Sequence, residues 1–174
     1  NVHIDAACFV NHQLQLQTVV SEEGNLTIYT EAVDGGDKRQ MHFRAHISAD
    51  PGAVPANLDW RAIEARLPEE WQGSLSKQWA SRGLIFGPTF DCIQRGRKGP
   101  GEALAHVHGA ALLPAADGLS FTHPGTIDSC FQVGLAALDA VLMGEGTNWL
   151  PVAARRVRVL RPLEGELIAY MRCT

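Results

Sequence analysis

Pro124-Gly125-Thr126-Ile127-Asp128-Ser129-Cys130-Phe131-Gln132-Val133-Gly134-Leu135-Ala136-Ala137-Leu138-Asp139-Ala140-Val141-Leu142 is the stretch on which the fold turns. A proline suits the first position of a helix, where its missing N–H would have had no partner. From there Ile127, Phe131, Leu135, Leu138 and Leu142 recur every three or four residues, a broad apolar stripe at the α-helical period. Burying each such side chain contributes roughly 1.5–3 kcal/mol. The spacing therefore predicts one helix over 124–142, its stripe shielded from solvent as the core of the fold. Gly144-Glu145-Gly146 ends it.

Strand patterns flank this helix on both sides. Leu14 and Leu16 alternate with glutamines and run on into Thr18, Val19 and Val20. After a turn at Ser21-Glu22-Glu23-Gly24-Asn25, Leu26, Ile28 and Thr30 alternate with Thr27, Tyr29 and Glu31. Asp34-Gly35-Gly36-Asp37 reads as a second turn, and Met41, Phe43, Ala45 and Ile47 then share a face opposite His42, Arg44 and His46. That is a three-stranded antiparallel meander in need of a partner. Ala49 to Ala56, with two prolines and a glycine, reads as a linker. Asn57 is placed to cap a short helix ending before Pro68, and Gly83 to close another within 73–82. Gly96 to Gly101 has the look of a hairpin turn, and alternation returns in Glu102 to His108, Val152 to Leu160 and Leu167 to Arg172. A long apolar helix wrapped by antiparallel strands is an α+β layer arrangement.

With 174 residues, 45% apolar and 20% charged, the chain has the composition of a folded protein, and its net charge of −4 gives no electrostatic case for nucleic acid or an anionic membrane surface. No apolar run approaches the roughly 18–20 residues that span a bilayer, and Asn1 to Cys8 is not a signal peptide. Cys8, Cys92, Cys130 and Cys173 lie far apart with no CxxC pair, which disfavours a zinc ribbon or disulfide scaffold and favours a reducing cytoplasm. The first residue is Asn rather than Met, as in a piece cut from something longer.

Asp128 and Gln132 stand four apart on the predicted helix, hence on one face and one turn apart, amid Ile127, Phe131 and Val133. A carboxyl among apolar side chains is pushed toward its protonated form and can donate a proton near neutral pH, and a neighbouring amide can hold it in place. The plainer alternative is a first-turn Asp serving helix electrostatics beside a solvated Gln. His42 and His46, and His106 and His108, pair on strand faces without a third ligand, so solvent-facing histidines account for them better than a metal site does. The Gly96–Gly101 segment lacks the Lys-Ser/Thr ending of a phosphate loop. Cys130 reads as a buried thiol packing like a small hydrophobe.

His123-Pro124-Gly125-Thr126-Ile127-Asp128-Ser129-Cys130-Phe131-Gln132 resembles the HPxxxDxxxQ signature of dehydratase domains in polyketide synthases and related fatty acid synthases. Gly83-Leu84-Ile85-Phe86-Gly87-Pro88-Thr89-Phe90 is similar to the G-L-x-Y-G-P-x-F segment that precedes it there, and Trp149-Leu150-Pro151-Val152 with Val157-Arg158-Val159 is similar to the strand entry after the helix. The resemblance implies a double hotdog, two tandem units each with a long helix wrapped by an antiparallel sheet. Residues 1–49 would be the final strands of a first hotdog, 50–82 a linker with short helices, and 83–174 a second hotdog incomplete at its C-terminal end.

The reaction so implied is syn elimination of water from a 3-hydroxyacyl thioester to give a 2-enoyl thioester. Asp128 matches the family's acid and Gln132 its partner, while Phe86, Gly87, Pro88, Phe90, His123, Leu150 and Pro151 fall in the substrate-binding motifs. Phe86 replaces the usual Tyr and so lacks its hydroxyl. The family implies no cofactor or metal bound by the domain itself. Its substrate rides on the phosphopantetheine of an acyl carrier protein, with neighbouring synthase domains and a homodimer through the parent synthase as partners, in the cytoplasm. The family's base is a His in an HxxxGxxxxP motif, and none of the seven histidines has Gly four residues later. The base is therefore expected outside the sequence given. The alternatives are a repurposed dehydratase-like domain, such as a double-bond isomerase or cyclase, and a non-catalytic acyl-binding or scaffold module. The paired Asp128 and Gln132 favour the enzymes, since a scaffold needs neither.

Overall fold

The computed structural model describes residues 1–8, 14–31, 39–49, 53, 56–73, 75–81, 83–109, 113–114, 120–142 and 150–173. In chain order these form β1 (Val2–Ile4), β2 (Gln15–Val20), β3 (Asn25–Glu31), β4 (Gln40–His46), α1 (Trp60–Arg66), β5 (Glu69–Gln72), α2 (Ser76–Ala80), a 3-10 turn (Pro88–Phe90), β6 (Ile93–Gly99), β7 (Glu102–Gly109), β8 (Leu113–Pro114), β9 (Ser120–Phe121), α3 (Pro124–Leu142), β10 (Ala153–Ala154) and β11 (Gly165–Arg172). The chain divides into two units, one of Asn1–Pro55 with Leu150–Val159, the other of Ala56–Trp149 with Leu160–Thr174. The expected turn at Asp34–Asp37, most of the expected linker, the helix stop at Gly144–Gly146 and Trp149 lie outside the described residues.

The first unit is an antiparallel sheet in the order β10-β1-β4-β3-β2. The predicted meander is its β2-β3-β4 part, with Thr18 opposite Ile28 and Ile28 opposite Phe43. One short strand, β1, extends it that the pattern did not announce, because three residues are too few to show alternation. The strand expected over Val152–Leu160 shrinks to Ala153–Ala154, which pair with the three-residue β1, while Val157 and Val159 are exposed. His42 corrects another expectation. It is only 7% exposed, its Nδ1 hydrogen-bonded to the Ala6 carbonyl (3.1 Å) and its Nε2 to Thr30 Oγ1 (2.9 Å).

In the second unit α3 lies against an antiparallel sheet ordered β11-β7-β6-β5, with β8 and β9 a separate pair. Alternation along β7 sends Ala103, Ala105 and Val107 into a core shared with Val133, Ala136 and Ala137 of α3, Ile93 of β6 and Ala169 of β11. Trp79 of α2 completes it at 1% exposure. The small residues facing each other across β7 and α3 let helix and sheet approach closely, where dispersion contacts add. The predicted helix boundaries agree with α3, but the predicted buried stripe does not. Ile127 is 41% and Phe131 46% exposed, Leu135 and Leu138 are half-buried, and the face fully inside carries Thr126, Ser129 and Val133. A helix apolar nearly all round does not reveal by period alone which face is turned inward, and the face that fits flat alanines won.

The segment 50–82 holds both expected short helices and one further strand. Asp59, rather than Asn57, caps α1, its Oδ1 accepting from the Ala62 N–H at 3.1 Å. The strand is β5, paired with β6 at the sheet edge. Its Trp71 ring occupies the space above Gly96, where a Cβ would stand 2.1 Å from the indole. The hairpin turn expected over Gly96–Gly101 is accordingly tighter, Pro100-Gly101 alone, with Gly96 to Gly99 inside β6.

Candidate active site

Three successive features build the start of α3. His123 Nδ1 accepts the Gly125 N–H at 3.0 Å and its carbonyl accepts the Thr126 N–H at 3.0 Å, so two first-turn donors have partners. Pro124 opens the helix with no N–H to satisfy. The 3-10 turn then crosses the helix so closely that a Cβ on Gly125 would sit 2.1 Å from the Thr89 carbonyl oxygen.

That crossing brings the Phe90 carbonyl to the helix face where Ser129 and Gln132 emerge. Gln132, 3% exposed, donates from Nε2 both to the Phe90 carbonyl (2.9 Å) and to Asp128 Oδ2 (2.9 Å). Both partners are acceptors, so the amide can only present its N–H₂ to them. Ser129, fully buried, donates to the same Phe90 carbonyl at 3.1 Å and accepts the Cys92 N–H at 3.3 Å. Asp128 itself is half-buried, and among the described residues its Oδ1 has no hydrogen-bond partner. The first turn of α3 contains no acidic residue, so the reading of Asp128 as a first-turn dipole partner is set aside. The arrangement is a carboxyl held at one oxygen by a buried, doubly hydrogen-bonded amide.

The remaining expected site residues fall in several places. Phe86 is half-buried against the core of the second unit, Gly87 and Pro88 begin the 3-10 turn, and the Phe90 ring is partly exposed. Leu150 and Pro151 belong to the first unit and are exposed. Sequence reasoning did not single out Ser129 or the Phe90 carbonyl. The only available signal was that Ser129 lies three residues before Gln132 on the same helix.

The histidines divide by exposure. His46 and His108 are exposed, His46 hydrogen-bonded to Asn25 and His108 paired with Glu166 at 2.8 Å, as the solvent-facing reading has it. His106 departs from it. Its Nε2 lies 2.9 Å from Glu64 Oε1, and Arg95 Nη1 reaches the same oxygen at 2.8 Å, while Trp60 meets the imidazole edge-on with centroids 5.7 Å apart. Burial works against ionising Glu64, but the hydrogen bonds and charges of His106 and Arg95 outweigh it and hold the carboxyl below its ordinary range. Cys130 is held above the usual thiol range, chiefly by burial and further by the neighbouring Cys92. Among the described residues no cluster of three or more His, Cys, Asp or Glu side chains is grouped to hold a metal, and no helix is long and apolar enough to cross a membrane.

Residues 55–174 match a family model described as the polyketide synthase dehydratase N-terminal domain. The whole chain is 24% identical, over 182 residues, to phthioceranic/hydroxyphthioceranic acid synthase of Mycobacterium tuberculosis, of which it spans 8%. Over 94 residues, 52% of the chain, it is 39% identical to polyketide synthase ThaG of Burkholderia thailandensis, covering 2% of that protein. Among solved structures it is similar to the dehydratase domain from the CurF module of curacin polyketide synthase, with a TM-score of 0.79 and 17% identity over 99% of this chain and 63% of that one. The CurK dehydratase domain gives a TM-score of 0.73 and 20% identity over 99% and 62%. The α+β hotdog architecture expected from the sequence is the fold of these domains.

Proposed function

Because this chain belongs to the polyketide synthase dehydratase family, we propose that it is part of a dehydratase domain eliminating water from a 3-hydroxyacyl thioester carried by an acyl carrier protein. The observation that carries this reading is the Gln132 amide bridging the Phe90 carbonyl and Asp128 Oδ2, each at 2.9 Å. Asp128 is the general acid. It delivers a proton from Oδ1 to the 3-hydroxyl as a base removes the proton on C2, so the C2–C3 double bond forms and water departs. Hydroxide is a poor leaving group, and a positioned acid typically supplies about 10²–10⁴-fold. Gln132 holds the carboxyl through Oδ2 and touches no reacting atom. The base is a His outside the sequence given.

The same reading takes 1–49 as closing strands of a first hotdog and 83–174, with β5 added from 50–82 at its sheet edge, as a second. Within the second unit Phe86, Gly87, Pro88, Phe90 and His123 line the acyl path, and the exposed Ile127 and Phe131 beside Asp128 offer the apolar surface that a fatty chain needs; Leu150 and Pro151 keep the substrate-binding role that their family motif implies. The substrate arrives on phosphopantetheine, the domain binds no cofactor of its own, the carrier protein and neighbouring synthase domains are its partners, homodimerisation runs through the parent synthase, and the site of action is the cytoplasm.

The test supplies the full-length parent protein with a 3-hydroxyacyl thioester on its carrier protein and follows the 2-enoyl product by mass. Asp128→Asn keeps the shape but carries no acidic proton, and it should lower the rate by about 10²-fold or more. A folded Asp128→Asn protein of unchanged activity would remove Asp128 from this role. A wild-type protein that rearranges or cyclises the chain without losing water would replace the reaction itself.

A further inference from the structure

We propose that Ser129 is a positioning residue for the acid, acting through the Phe90 carbonyl and Gln132. The inference rests on the reading of Asp128 as the proton donor. Ser129 has one hydroxyl, and both of its functions are engaged. It donates to the Phe90 carbonyl (3.1 Å) and accepts from the Cys92 N–H (3.3 Å), fastening both ends of the Phe90–Cys92 segment to α3. The Phe90 oxygen has two lone pairs, and Gln132 Nε2 takes the second at 2.9 Å. With one amide hydrogen anchored on the main chain, the other is aimed at Asp128 Oδ2. Ser129 and Gln132 are both buried, so water is not at hand to replace a lost partner.

Without the Ser129 hydroxyl, Cys92 loses its acceptor and the Phe90 carbonyl loses one of the two groups that hold it. The anchor of Gln132 then wanders, and the carboxyl with it. Ser129 touches no reacting atom, so its removal should appear in kcat rather than KM. Proton donation depends on sub-ångström alignment, whereas acyl binding rests on other surfaces.

The experiment uses the full-length parent protein, its 3-hydroxyacyl carrier-protein substrate, and a double-mutant cycle. Ser129→Ala should lower kcat by about tenfold with KM within about twofold, and Ser129→Thr, which keeps the hydroxyl, should recover most of the loss. In a Gln132→Ala background the same Ser129→Ala change should alter kcat by less than about twofold, because its effect runs through Gln132. A full tenfold loss persisting in that background would overturn the proposal, as would equal losses in the Ala and Thr variants. Amide exchange at Cys92 supplies a readout independent of turnover. It should quicken in Ser129→Ala, and unchanged protection there would show that the latch does not exist. If wild-type protein forms no 2-enoyl product while Cys92 exchange still responds to Ser129→Ala, the latch stands and the assigned reaction falls.

Discussion

Replacing Gly125 with alanine would test the close crossing at the start of α3. The added methyl would stand 2.1 Å from the Thr89 carbonyl oxygen, and ordinary contact begins near 3.4 Å, so the two must separate by about 1.3 Å. The obstructing atom is main chain, which does not swing aside as a long side chain would. Two effects compete. Alanine is the better helix former, by about 0.5–1 kcal/mol. Forcing a methyl into an occupied space costs about 1–3 kcal/mol. The clash should win, leaving the protein folded but about 1–2 kcal/mol less stable. The functional effect should be larger, because Thr89 precedes Phe90, whose carbonyl orients Gln132 and through it Asp128. A displacement of this size at a catalytic constellation costs about 10²-fold in rate. The assays are denaturant unfolding and formation of the 2-enoyl thioester by the parent protein. An alanine variant with wild-type turnover and equal or greater stability would refute the crossing, since only the helix-propensity gain would then have been felt.

Gln132→Ala should lower turnover by less than Asp128→Asn does, because it loosens the acid without removing the proton; a larger loss than for Asp128→Asn would reverse the two roles. Trp79→Ala should destabilise the second unit by about 3–5 kcal/mol in denaturant titration, since Trp79 fills the core under α3, and a cost under about 1 kcal/mol would mean that its indole is not packed there. Glu64→Gln should show pH-dependent stability. Glu64 is held below its ordinary value, so its ionised form stabilises the fold at neutral pH and that contribution fades as pH falls through the lowered value. The gap between wild type and Glu64→Gln should therefore narrow from about pH 7 to about pH 3, and a constant gap would show that the Arg95–Glu64–His106 contact does not bias titration.

The span of α3 and the Asp128–Gln132 pair were legible because each is written in side chains at short spacing. Pro124 marks the start, the apolar period gives the length, and four residues set the pair on one face. The buried face of the same helix was misread, since the choice between Ile127 and Val133 depends on what α3 meets. That partner, the alanine row of β7, is remote in sequence. β5 escaped notice because one tryptophan among Glu69, Glu70 and Gln72 makes no alternation, and it exists by pairing with β6. His42 looked solvent-facing for want of Ala6 and Thr30, which the sheet brings to it. The Phe90 carbonyl was beyond any reading of residue types, because every residue has one.

That last property has a consequence for how such a site could diversify. The Asp128 carboxyl is held, through Gln132, from a peptide oxygen, and a peptide oxygen survives any replacement of the side chain attached to it. The residue at 90 thus carries two independent parts, a backbone atom tied to Gln132 and a ring turned partly outward. Under the proposed reaction, exchanging the ring would reshape what an incoming chain encounters without deleting the anchor of the Gln132 amide. On that reading selectivity and reactivity would be divided between two halves of a single residue, so a change of specificity need not begin with a loss of rate.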